Sequence, residues 1–162
     1  MFRPRALAIA LAAVLSGAFL SVPSATAAPD DARVSGFQRF VGLSTTADEG
    51  AEAPIAANGP IHAHGTDVVI NDSTDRFEFR GGNVFIRHQT FRKSVRNHFD
   101  RITCYGTHTE RGSWRTTGGT GRYDEVRGRG LYTLSVQFFG CDPRQEPDVI
   151  AVSIEAAGPL SY

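Results

Sequence analysis

A few histidines and one glutamate are the side chains of this chain whose positions could support chemistry. His88 falls in step with Val84 and Ile86, and His108 and Glu110 with Ile102 and Cys104, so each polar group shares a strand face with apolar ones. A polar side chain on such a face is either satisfied within a core or turned towards a bound molecule. Imidazoles and a carboxylate brought together inside a fold could hold and move a proton. His62-Ala63-His64 sets two imidazoles on one face at a spacing that can chelate a metal, but no third ligand is marked and no metal is expected. Gly119-Thr120-Gly121 lacks the third glycine, the following helix and the lysine of a phosphate cradle, so no nucleotide cofactor is expected. No Gly-x-Ser-x-Gly element is present to support nucleophilic hydrolysis.

Charge narrows the partners. Residues 87–129 hold ten basic against four acidic side chains, with Phe91, Phe99, Tyr105, Trp114 and Tyr123 interleaved. Such a mixture can grip nucleic acid, and His88, His98, His108, Glu110 and Arg115 include the residue types of a nuclease. The flanks are acidic, however, and alternation puts most of these arginines on a solvated face, so no nucleic-acid partner is expected.

The elements that must position these groups are strands. Runs at 61–71, 76–80, 84–91, 102–110 and 113–117 alternate or are rich in strand formers, and Asp72-Ser73-Thr74 and Gly81-Gly82-Asn83 mark turns. Tyr132, Leu134, Val136 and Phe138 share one face, as do Ile150, Val152 and Ile154. No run after Gly59 has helical spacing. Seven or eight short strands indicate an all-β protein, a small antiparallel β-barrel of about eight strands or a sandwich over residues 59–162. Asn58-Gly59-Pro60-Ile61 and Ala157-Gly158-Pro159-Leu160 suggest that first and last strands pair to close a barrel.

Before the barrel come two other materials. Arg3 and Arg5, the apolar run from Ala6 to Leu20 and Ala25-Thr26-Ala27 form a secretory signal, with a run too short for a good membrane span. Cleavage after Ala27 leaves 135 residues with 15 basic and 17 acidic side chains, so the expected product is extracellular, single-domain and free of the membrane. Residues 28–58 are rich in Ala and acidic residues and read as a flexible segment. Val34, Phe37, Phe40 and Val41 fit a short helix within it. In an exported chain the two cysteines, Cys104 and Cys141, read as one disulfide.

The segment Thr117-Gly118-Gly119-Thr120-Gly121-Arg122-Tyr123-Asp124-Glu125-Val126-Arg127-Gly128-Arg129-Gly130-Leu131-Tyr132 resembles the allene oxide cyclase and dirigent-like barrels. Those proteins carry a Gly-Gly-Thr/Ser-Gly-x-aromatic stretch between two late strands. The resemblance implies an eight-stranded barrel able to hold a hydrophobic small molecule, with cyclisation or coupling chemistry that needs no cofactor. It implies a scaffold role for Gly118, Gly119, Gly121, Tyr123 and Gly128, and makes Arg127 the one charged residue matched to the family's pattern. With parity, the candidate ligand-binding set is Arg127, His88, Glu110 and His108. The competing reading is a non-catalytic module that binds cell-wall polymer or another protein, and the size of the internal cavity separates the two.

Overall fold

Phe77 and Phe79 alternate with the polar residues between and beside them, and the same period of two runs through most of the chain. In the computed structural model, which describes residues 33–46, 50–142 and 144–162, nine antiparallel strands account for nearly everything. They are β1 (Ser35–Ser44), β2 (Glu52–Asn58), β3 (Ala63–Asn71), β4 (Thr74–Phe79), β5 (Gly82–Thr90), β6 (Arg96–Asp100), β7 (Tyr105–Gly119), β8 (Arg127–Phe139) and β9 (Asp148–Ser161). Eight of them form a closed up-and-down barrel in which each strand pairs with its chain neighbours. β5 pairs with β7, from Val84↔Gly119 to Thr90↔Gly112, and β1 pairs with β9, from Ser35↔Ser161 to Ser44↔Val152. Closure leaves no long unpaired edge. β6 joins β7 where β5 has left it, at Arg96↔Thr109 to Asp100↔Tyr105, and so extends one wall beyond the rim.

First and last strands do pair, but the first strand is β1, within the segment the sequence assigns to a flexible tail or a short helix. The barrel begins near Ser35 rather than at Gly59, and residues 35–44 and 52–58 are two of its staves, not a flexible segment or a helix. Phe40 points inward and is 1% exposed, whereas Phe37 points outward and is 70% exposed. The inward row of β1 is Gly36, Gln38, Phe40 and Gly42, so it carries one large apolar residue and hides its period of two. Gln38 is buried and fully paired: its Oε1 accepts from Ile61 N (2.9 Å) and its Nε2 donates to Ile61 O (3.1 Å), fixing the turn between β2 and β3. The expected secretory signal, residues 1–27, lies outside the described residues.

Two further boundaries move. Residues 102–110 and 113–117 belong to one strand, β7, and Ile102 precedes it in an exposed turn. Gly112 does not break β7. A Cβ there would strike the Tyr132 ring and the Gln89 carbonyl, so glycine lets the phenol lie flat against the wall. Cys104 and Cys141 form a disulfide with Cα atoms 4.9 Å apart, joining the start of β7 to the loop after β8.

The barrel is filled at one end. Phe40 meets Phe77, Trp114 and Phe79 with ring centroids at 5.1, 5.7 and 6.4 Å, and Ile55, Ile61, Val84 and Ile86 close the gaps. Below them the Gly118–Val126 connection folds over the opening. Gly121, at φ 59°, sits so close to the Gly81 carbonyl that no Cβ fits. Arg122 N donates to Gly81 O (2.8 Å) and Thr120 N to Asn83 O (2.9 Å). Tyr123, 3% exposed, caps the core against Phe79 and Tyr162. At the other end the barrel is open.

Candidate functional site

The open end holds a cavity of about 420 Å³ with two unlike walls. β1, β2, β8 and β9 supply apolar or small groups: Gly42, Ala53, Leu134, Val152 and Ile154. β3, β4, β5, β7 and β8 supply polar side chains: Asp67 and Asn71, Asp75, His88, Glu110 and Tyr132 respectively. Cross-strand register makes this a continuous belt. Asp75 lies opposite Val69, one diagonal step from Asp67; it also lies opposite Ile86, one diagonal step from His88. The aromatic plug of the filled end forms the floor.

The belt contains two acid–base groups. His88 Nε2 is 3.4 Å from Asp75 Oδ2, and the His88 ring packs edge-on against Tyr132 at 5.4 Å. Farther along, Tyr132 Oη and Thr90 Oγ1 both donate to Glu110 Oε1, at 2.8 and 2.9 Å, and stand 2.8 Å from each other. Glu110 Oε2 is 3.5 Å from His108 Nε2, and His108 Nδ1 is 2.7 Å from Asn97 Oδ1 on β6. The extra strand thus orients His108 from behind. Burial above all, with Glu110 beside its hydroxyl, pushes the Tyr132 phenol up to about 12, so it stays neutral and can donate.

Asp67 is the group least accounted for by the fold. It is 7% exposed, and its Oδ1 has no hydrogen-bond partner among the described residues. Burial first, then the Asp75 carboxyl, raises its pKa to about 8. At neutral pH it is mainly a carboxylic acid, with a proton to donate. Burial also raises Asp75, opposed by His88. A protonated acid beside the Asp75–His88 pair sets two acid–base groups on one wall of the cavity.

The structure brings three of the four candidate ligand-binding residues together: His88 and Glu110 line the cavity, and His108 stands behind Glu110 at the rim. Arg127 is elsewhere. It is exposed at the filled end, on a shallow surface groove with Gly118, Val126 and Gly128, and touches no cavity residue. Gly118, Gly119, Gly121 and Tyr123 belong to the connection that closes that end, and Gly128 opens β8 beside Trp114 and Leu160. His62 and His64 are exposed, and no group of three or more metal-ligating residues occurs among the described residues. The sequence alone does not single out Asp67, Asp75 or Thr90, and it marks Tyr132 only as a packing residue. The available signal was at Asp75, which shares the parity of Phe77 and Phe79. Comparison with family models, with curated proteins and with solved structures returns no match for this chain.

Proposed function

We propose that the protein takes a small, largely apolar molecule bearing an oxygen function into the open end of its barrel and catalyses a cofactor-independent isomerisation or cyclisation there. The observation that carries this reading is Asp67, an acid that burial keeps protonated at neutral pH, set in the wall of a cavity with a polar belt on one side and an apolar face on the other. A ligand carbonyl, enol or ether oxygen accepts its hydrogen bond and becomes polarised. The Asp75–His88 pair accepts the proton released at carbon, and its return at another position completes an isomerisation with no change of net charge or oxidation state. The apolar wall orients the skeleton and excludes water. The resemblance of the Thr117–Tyr132 segment to the allene oxide cyclase and dirigent-like barrels supports the same class of ligand, though not a role for Arg127 inside the cavity. We also place the protein outside the cell, on the signal-like N-terminus and on a disulfide that suits an oxidising compartment.

NMR titration with cyclohex-2-enone and p-cresol, each an apolar ring with one oxygen, tests the reading. Resonances of Asp67, His88, Leu134 and Val152 should shift together, and Ala53→Trp, which fills the cavity from β2, should abolish the response. Arg127→Ala should leave it unchanged. Shifts confined to the outer surface, or a response that survives Ala53→Trp, would overturn the assignment.

A further inference from the structure

The outside of the same wall carries an arrangement that the cavity does not use. Arg87 on β5 lies directly opposite Arg115 on β7, and Arg115 lies directly opposite Arg129 on β8. Three guanidinium-bearing residues therefore form one row across three adjacent strands. At the usual strand spacing of about 4.8 Å the row spans roughly 10 Å. Like charges facing one another across a ladder repel, and a fold indifferent to them would interleave a carboxylate. None is present. The outward positions of β5, β7 and β8 around the row carry no Asp or Glu, and among the described residues none of the three arginines is in an ion pair. All three are exposed and line one groove of about 820 Å³.

We propose that this outer groove binds a linear anionic polysaccharide, with successive acidic groups held by Arg87, Arg115 and Arg129. The guanidinium fork matches carboxylate and sulfate geometry with paired hydrogen bonds, and three forks in register suit a chain of repeating acidic units better than a single anion. The next row along the strands, Gln89↔Ser113↔Leu131, offers neutral donors and acceptors for sugar hydroxyls beside an apolar step, Leu131 being 63% exposed. A nucleic acid would call for exposed rings on which bases stack. The aromatic side chain of this groove, Trp114, is 3% exposed and turned into the core. The three arginines face away from the cavity, His88 alone bordering both hollows, and the proposal does not depend on the cavity reading.

Isothermal titration calorimetry of the full chain with polygalacturonate, with neutral dextran and single-stranded DNA as comparators, decides the matter. Polygalacturonate should bind, more weakly as salt rises, and neutral dextran should not. The triple variant Arg87→Gln, Arg115→Gln, Arg129→Gln should bind about tenfold more weakly or worse, and Arg115→Gln alone measurably more weakly. Arg39→Gln, which removes an arginine paired with Glu155 on another face, should bind as the parent does. Removing the row relieves repulsion, so the melting temperature of the variants should hold or rise, which separates a lost site from a lost fold. Absence of polygalacturonate binding, undiminished binding by the triple variant, or tighter binding of the DNA would overturn the proposal.

Discussion

Replacing Asp67 by asparagine keeps the shape of the side chain and removes its titration, so the variant isolates what the buried acid does to stability. The carboxyl titrates near 3.8 when unfolded and at about 8 in the barrel. A raised acid favours the folded state most when protonated: its stabilising contribution is full below about pH 4 and is lost as pH rises to about 8. Roughly four pKa units at about 1.4 kcal/mol each set a ceiling of about 6 kcal/mol on the loss. Relaxation and water entering through the open end reduce it, and a realised loss of at least about 2 kcal/mol is expected. Asparagine has no such loss, and it relieves Asp75 of a like-charged neighbour, which acts in the same direction. Urea unfolding at half-unit steps from pH 4 to 9.5 reads the difference. The two stability curves should lie together near pH 4, separate in favour of Asp67→Asn through pH 8, and run parallel above it. Curves parallel throughout would refute the burial argument, because all the other titrating groups are common to both proteins.

The remaining predictions concern the frame around the cavity. Phe40→Ala should cost about 3–5 kcal/mol, read by denaturant unfolding, since its ring joins Phe77, Phe79 and Trp114; a loss under 1 kcal/mol would mean that β1 is not a stave of the barrel. The Cys104→Ser, Cys141→Ser double variant frees a loop of 37 residues and should lose about 4 kcal/mol while keeping its β circular dichroism. Non-reducing peptide mapping of the parent should recover the two cysteines in one linked pair. Gly112→Val should displace the Tyr132 ring from the wall, detected as loss of the phenol's contact with Glu110 and a lower melting temperature.

The legible part of the fold was the part whose periodicity survives in the side chains. Phe77 and Phe79 on β4, and Tyr132 and Leu134 on β8, alternate cleanly, and the barrel follows from them. β1 was hidden because two of its four inward positions are glycine and a third is the buried Gln38, whose partners lie across the turn at Ile61. In the cavity, His88 and Glu110 were visible by parity. Asp67 was not, because it stands just before a run, Val68-Val69-Ile70, that is apolar on both faces and shows no period of two. Asp75 was lost to a turn whose polar cluster masked the first residues of β4. Running the parity of Tyr132 and Leu134 back through Gly130 and Gly128 turns Arg127 outward; the glycines obscured that count because they lack side chains to show which way the strand faces.

Occupancy of the open end is the central claim, and the ligand itself is the most direct witness. The parent protein and Ala53→Trp, purified side by side from the cells that make it without denaturation, can be extracted and their small molecules compared by mass spectrometry. The account predicts a compound enriched with the parent and missing from the variant, with an apolar skeleton, at least one oxygen, and a size that about 420 Å³ can hold. A parent that carries nothing the variant lacks would contradict it.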